Sequence, residues 1–339
     1  TIPIIFSKYI PQKTRGVFLN FSAFLLMSIF ILSISFKKDP LFYEKKLLRL
    51  IEKGEITGES IYSNTPMDQE RRVFDRSRTI PYDPTIWKPV GNTTVGTVIA
   101  VGREVCGLKE GDRVYGHGGF RTIHQGSHFK LMLPGFTEEA ACCMDPANFA
   151  LAAVRDGQVR IGERVMVFGL GAIGLLTVQL ARLSGAVDVI AVDLIKRRRE
   201  LALEHGATLT VDPSEIGDFG IASRDWLENG ADVTIEASGS YHALNQAIRA
   251  TRYAGRVVPL AFYLGDAKGL YLGEEFHFNQ IDIVSARACS HPQRGLFWEE
   301  ERILETLVRL FREGRLHSVS YTHLRAHETD SYLVCRVLL

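Results

Sequence analysis

A surplus of charge is what this chain of 339 residues most plainly lacks: 40 Lys plus Arg stand against 39 Asp plus Glu, a net charge of +1. Without a basic excess, a role in coating nucleic acid has no electrostatic support. Cysteine is scarce as well. The five are Cys106, Cys142, Cys143, Cys289 and Cys335, with no CxxC pair among them, far too sparse for a disulfide scaffold. Disorder is excluded by composition, since 46% hydrophobic and 23% charged residues is the balance of a globular chain. The length implies about two domains, because one core rarely grows past about 250 to 300 residues. A reduced, cytoplasmic body is the resulting expectation.

Long apolar runs are missing except one. Residues 17–36 carry no charge, with Lys13 and Arg15 before them and Lys37-Lys38 after. At 1.5 Å per residue, about 20 helical residues just cross a bilayer core, so a membrane anchor is possible only here. Basic residues on both flanks leave its orientation open. The alternatives are a buried or surface-docked helix, or a segment foreign to the rest of the gene. Residues 1–46 hold a single Gly and a single Ala, whereas the chain from Gly54 turns rich in Gly, Ala, Val and Arg. At the other end, Val319-Ser-Tyr-Thr-His-Leu-Arg-Ala-His-Glu-Thr329 and Ser331-Tyr-Leu-Val-Cys-Arg336 resemble a sequencing-library adapter translated in one frame. Residues 319–339 are therefore expected to be an artefactual tail, the alternative being a His-rich metal tail, and both ends are set aside from fold reasoning.

The middle is informative. Arg164-Val-Met-Val-Phe168 is a short apolar run that reads as a buried strand. Gly169-Leu-Gly171-Ala172-Ile173-Gly174 follows at once, then helical periodicity over Leu175 to Ser184, then a second strand from Asp188 to Val192. That strand ends at Asp193, about 20 residues past the glycines. Strand, GxGxxG, helix, strand and acid together make the dinucleotide-binding pattern. Gly169 allows a tight turn, Gly171 has no Cβ to obstruct a pyrophosphate, and Gly174 allows close helix packing. The helix N-terminus then offers unpaired N–H groups and positive dipole to the phosphates.

Alternation continues with a helix over Lys196 to His205, a strand over Thr208 to Val211, a strand over Asp232 to Glu236 and a helix over Tyr241 to Thr251. Strands at Gly255 to Ala261 and Ile281 to Ala286 follow, and a helix from Trp298 to Arg312 closes the series. Such alternation forces a doubly wound parallel sheet with helices on both faces. Ahead of it, Thr94 to Val101 and Arg113 to Tyr115 read as short strands, with a turn at Leu108-Lys-Glu-Gly111-Asp112.

Gly96-Thr-Val-Ile-Ala-Val-Gly102, Gly111-Asp-Arg-Val114, the glycine loop and Asp232-Val-Thr-Ile-Glu-Ala-Ser-Gly239 resemble the medium-chain dehydrogenase/reductase superfamily, the alcohol, sorbitol and threonine dehydrogenase group. The resemblance spans roughly residues 55 to 317. It implies an α/β fold: a GroES-like, β-rich catalytic domain over residues 47–150 and a Rossmann domain over 151–290. Residues 291–318 would be a C-terminal helix returning to the catalytic domain. It further implies hydride transfer between nicotinamide and a small alcohol or carbonyl substrate, in the cleft between domains. A homo-oligomer pairing sheets edge to edge, through Ile281 to Ala286, is also implied. The cofactor residues would be Gly169, Gly171, Ala172, Ile173, Gly174, Asp193, Arg198, Ser238 and Phe262. Asp193 favours NAD, since a carboxylate there accepts from ribose hydroxyls and repels a 2′-phosphate. The basic run Lys196-Arg-Arg-Arg199 argues the other way, towards NADP.

Departures from the family concern zinc. Its first ligand Cys is matched by Pro66, its His by the stretch Gly91-Asn92-Thr93, and its third ligand by Asp145. The four-cysteine structural zinc lobe is missing, because Gly111-Asp-Arg-Val114 runs straight into Tyr115-Gly-His-Gly-Gly119. A catalytic zinc needs three protein ligands, so a zinc-independent branch is expected, with no metal site. Cys142 and Cys143 fit buried small-residue packing better than a substitute metal site with His117 and Asp145. Without zinc, His117, Asp145 or Tyr62 must handle the proton. Each has a plainer reading, His117 as a turn residue and Asp145 as the N-cap of a helix starting near Pro146. A catalytically silent dinucleotide-binding protein, or a zinc enzyme with an unconventional site, are the competing functions.

Overall fold

The computed structural model describes residues 56–62, 93–103, 105–118, 123–126, 128–263, 265–288 and 298–319. The apolar run 17–36, the positions Pro66, Gly91 and Asn92, and the tail after Val319 lie outside the described residues. Among those described, no helix is long and apolar enough to cross a membrane. They fall into two compact units, one built from 56–59, 97–112 and 123–129, the other from 60–62, 93–96, 113–118 and everything from Lys130 onward.

In the first unit, β1 (Ile56–Tyr62) pairs antiparallel with β4 (Ile123–Gly126), with Ile56 opposite Gly126 and Glu59 opposite Ile123. Within β2 (Thr93–Ala100), Val98 and Ala100 are buried. The turn expected at residues 108–112 closes back on this strand, because Val98 donates to the Asp112 carbonyl at 2.9 Å and Gly111 donates to the Val98 carbonyl at 2.8 Å. The Asp112 carboxylate fastens the same turn by accepting from the Lys109 N–H at 2.9 Å.

In the second unit, β3 (Arg113–His117) pairs antiparallel to β5 (Lys130–Leu131) through Val114 and Leu131. Two helices follow back to back. Thr137 caps α1 (Glu138–Cys142), its hydroxyl accepting from the Ala140 N–H at 3.2 Å, and Glu138 and Glu139 sit at the positive end of its dipole. Cys143 then keeps a helical backbone, φ −82° and ψ −4°, so the chain passes directly into α2 (Met144–Asp156). That overturns the expected start near Pro146. Cys143 holds the cap position, and Asp145 stands inside the first turn.

The remaining elements alternate: β6 (Arg164–Phe168), α3 (Ala172–Leu183), β7 (Asp188–Val192), α4 (Lys196–Glu204), β8 (Leu209–Val211), α5 (Phe219–Asp225), β9 (Ala231–Glu236), α6 (Tyr241–Ala250), β10 (Thr251–Pro259), α7 (Glu274–Phe278), β11 (Asp282–Ile283) and α8 (Glu300–Arg312). The strands make one sheet in the order β11-β10-β9-β6-β7-β8, every pair parallel. Strand direction forces each connection to cross over, and the order reverses between β6 and β9.

Period-two burial explains why these strands read as unbroken apolar runs. Val165, Val167, Val189, Ala191, Val233 and Ile235 face one core with residues of α2, α3 and α8. Met166, Phe168, Ile190, Val192 and Val257 face the other, with Phe219 of α5 and Leu244 and Ile248 of α6. Helix α8 joins the first core through Ile303, Leu307, Val308 and Phe311, one stripe at helical spacing.

Two expected elements differ. The strand expected over Ile281 to Ala286 shrinks to Asp282–Ile283, beside β10 at the sheet edge. Strand β10 begins early, at Thr251, because α6 stops at Ala250 and the buried Thr251 hydroxyl donates back to the Ala247 carbonyl at 2.7 Å. Its register with β9 then shifts between Thr251 and Arg256, and Ala254 takes a φ of +52° there. The short helices α1, α5 and α7 carry too few turns for a periodic signal.

Ile235 has no exposed surface in β9, whereas Ile161 is 90% exposed. Ile235→Ala should lower the unfolding free energy by about 2–5 kcal/mol, and Ile161→Ala should change it by less than about 0.5 kcal/mol, both read by urea unfolding of the full chain.

Candidate functional site

The three glycines after β6 meet three different constraints. Gly169 turns with a φ of +85°, and a Cβ there would lie 2.7 Å from the Ser238 nitrogen. Its N–H donates to the Val192 carbonyl at 2.9 Å, tying the turn to the end of β7. Gly174 sits over Gly169, where an added Cβ would come within 1.8 Å of the Gly169 carbonyl oxygen. Gly171 differs from both. It is the N-cap of α3, no side chain caps it, and a Cβ built on it meets nothing within 4 Å. The first intrahelical bond runs from Leu175 to Gly171 at 2.9 Å, so Ala172, Ile173 and Gly174 present N–H groups without a helical acceptor. An open face at an uncapped helix N-terminus fits a dinucleotide pyrophosphate.

Asp193 follows β7 and is 8% exposed. Its Oδ2 accepts from the Leu170 N–H at 2.7 Å and from Arg198 Nη1 at 3.2 Å, and its Oδ1 accepts from the Ile195 N–H at 2.8 Å. The acid expected to meet a ribose therefore also clasps the glycine loop. The three arginines of the basic run beside it pair with carboxylates of the chain. Arg197 pairs with Glu200 at 3.3 Å and Glu204 at 3.6 Å. Arg199 donates to the Asp193 carbonyl at 2.7 Å and to the Asp212 carboxylate at 2.8 Å. The Ser214 hydroxyl, then its N–H and Arg199, hold the Asp212 carboxyl below the ordinary aspartate range.

Glu236 closes β9 with no exposed surface. Its carboxylate accepts from the Ser238 N–H at 2.8 Å, the Gly239 N–H at 3.1 Å, the Ser238 hydroxyl and the Tyr263 hydroxyl. Burial, with the Glu236 charge beside it, pushes the Tyr263 phenol well above its ordinary range, so it stays a donor. Sequence reasoning placed Glu236 only at a strand end. The available signal was an acid closing an otherwise apolar strand. Ser238 is thereby set against Gly169, and a Cβ on Gly239 would lie 3.5 Å from the carbonyl oxygen of Phe262, whose residue is 65% exposed past β10. Gly169 and Ser238 thus meet at the carboxyl ends of β6 and β9, and the Phe262 backbone past β10 lies beside Gly239.

The proton-handling candidates stand on three separate elements. Tyr62 ends β1, His117 is the exposed last residue of β3 rather than a turn residue, and Asp145 is half-buried in α2. Cys143 is fully buried in the core beside Ala140 and Ala141. Burial, then Cys143, Glu139 and Glu138, pushes the Cys142 thiol up to about 12, which resists the thiolate form a metal needs. Among the described residues no three His, Cys, Asp or Glu side chains gather as a metal set. The described candidates His117, Cys142, Cys143 and Asp145 do not gather into a zinc ligand set. A groove of about 700 Å³ lies elsewhere, between the β5 region and α8, lined by Tyr115, Leu131, Phe136, Leu304, Val308 and Arg312. It holds none of the cofactor candidates.

The zinc-binding dehydrogenase family model matches residues 172–303. D-guloside 3-dehydrogenase of Escherichia coli (strain K12) is 41% identical over 236 residues, covering 67% of this chain and 67% of that protein. The fold recurs, with a TM-score of 0.60, in a short chain alcohol dehydrogenase from E. coli CFT073 complexed with NADH, 18% identical and covering 78% of this chain and 82% of that one. It recurs at the same score in a dehydrogenase from Sinorhizobium meliloti 1021 bound to NADP, 21% identical and again covering 78% and 82%. Identity of 41% across two thirds of a relative goes beyond a shared fold, and the chain belongs to the medium-chain dehydrogenase/reductase superfamily of alcohol-dehydrogenase-like oxidoreductases.

Proposed function

We propose that this protein is an NAD-dependent oxidoreductase acting on a secondary hydroxyl of a small alcohol or sugar, without zinc. The observation that carries the choice of NAD is the state of the basic run. Arg197, Arg198 and Arg199 are each engaged by carboxylates of the chain itself, and Asp193 is the acid that would meet the ribose. A 2′-phosphate would face that carboxylate, and two such charges repel by at least about 1 kcal/mol even in water. The guloside relative supports a sugar hydroxyl as the reacting group.

Bound NAD would supply the hydride acceptor, the C4 carbon of its nicotinamide. The chain's own part is to hold and orient it. Uncapped N–H groups at Ala172, Ile173 and Gly174 take the pyrophosphate, Asp193 takes the ribose hydroxyls, and Ser238 and Phe262 border the other half. Asp145 or His117 accepts the proton released from the hydroxyl as the hydride leaves, a task worth about 10²–10⁴ in rate.

Titration by NADH fluorescence tests the binding half. Wild-type protein should bind NADH more tightly than NADPH, and Asp193→Ser should narrow the gap while weakening both, because the Leu170 anchor is lost. Gly171→Ala should weaken NADH at least about tenfold with unfolding unchanged, whereas Gly174→Ala should itself destabilise the fold by about 1–3 kcal/mol. Tighter NADPH binding by the wild type overturns the NAD assignment.

The chemical half is tested by turnover with a panel of sugars and secondary alcohols. One of Asp145→Asn and His117→Gln should cut kcat at least about a hundredfold at unchanged NADH affinity. Purified protein should hold far less than one zinc per chain, and EDTA should leave turnover unchanged. Stoichiometric zinc on which turnover depends would sink the zinc-free reading.

A further inference from the structure

Glu236 has no place in the binding scheme above, yet no other carboxylate in the described part of the sheet is so enclosed. It has no exposed surface, and four donors converge on it from two separate loops. Three come from Ser238 and Gly239, just past β9. The fourth is the Tyr263 hydroxyl, 27 residues on and past β10. A buried ion is costly unless its lone pairs are filled, and here every donor comes from the loops that border one half of the site.

Which half follows from the sheet order. In a doubly wound sheet the dinucleotide straddles the reversal, here between β6 and β9, with one nucleotide on each side. Asp193 marks the β7 side as the adenosine side. The loops after β9 and β10 therefore belong to the nicotinamide. Among the described residues the donors to Glu236 and the donors to Asp193 are different groups, so each side has its own carboxylate anchor, and the two sides touch where Ser238 packs against Gly169.

We propose that Glu236 is the positioning residue of the nicotinamide half, acting through Ser238, Gly239 and Tyr263 and not by touching the cofactor. Its carboxylate draws the β9 and β10 loops to one point and so fixes the shape of the loops that would border the nicotinamide. The Tyr241 ring supports the arrangement from outside, its centroid 5.1 Å from that of Tyr263 and its hydroxyl donating to the Gly265 carbonyl at 3.2 Å. The proposal rests on the dinucleotide reading and adds a division of labour to it.

Glu236→Gln keeps the shape but turns one acceptor into a donor facing Gly239 and Tyr263. Tyr263→Phe removes one donor and leaves the carboxylate, and it serves if the first variant does not fold. NADH and ADP-ribose, which lacks the nicotinamide, are titrated against the full-length wild type and both variants. Glu236→Gln should weaken NADH about tenfold and Tyr263→Phe about threefold, while ADP-ribose stays within about twofold in each. Equal loss of both ligands, or loss of neither, overturns the proposal by making Glu236 a general support or an idle one. A wild type that binds neither ligand takes down the dinucleotide reading itself, and this inference with it.

Discussion

Backbone N–H groups caught by buried carboxylates hold the carboxyl end of this sheet together. Asp193 takes the Leu170 N–H from the glycine loop, and Glu236 takes the Ser238 and Gly239 N–H groups from the loop after β9. Gly169 lies between them, bound to the end of β7 and pressed against Ser238 so closely that a Cβ would not fit. A parallel sheet leaves its strand-end loops without neighbours in the sheet. Charge-assisted hydrogen bonds of this kind, roughly twice as strong as neutral ones, give those loops a single geometry.

The same arrangement explains why the acids lie at strand ends rather than within strands. The strands themselves are covered on both faces, with Val165, Met166 and Val167 wholly buried. A carboxylate in their middle would find no donors, because the sheet already uses the backbone N–H groups. At the carboxyl end the N–H groups of turns and helix starts come free, and the charge is satisfied there. The site is thus made from the groups the fold leaves over. The arginines of α4 complete the pattern by pairing with carboxylates within the domain.

Much of this was legible in the sequence because it is local. Arg164 to Asp193 gives strand, glycine loop, helix, strand and acid within one stretch, and the structure keeps that order. The sheet followed from the unbroken apolar runs, which are what two-sided burial demands. Non-local features were hidden. The contact between Glu236 and Tyr263 spans 27 residues, and nothing in either neighbourhood announces it. The second bond of Asp193, to Leu170, spans 23 residues and was masked by the ribose role that the same acid fits. The early start of β10 depends on the Thr251 hydroxyl capping α6, a side-chain bond that periodicity does not register. Asp145 looked like a helix cap only because the helical backbone of Cys143 was not foreseeable.

A crystal structure of the full chain grown with NAD tests the central claim most directly. The account predicts pyrophosphate oxygens within about 2.7–3.2 Å of the backbone nitrogens of Ala172 or Ile173, and a ribose hydroxyl at the same range from Asp193. A dinucleotide lying instead in the groove between Tyr115 and Arg312, or one that leaves Asp193 and the glycine loop untouched, would contradict it.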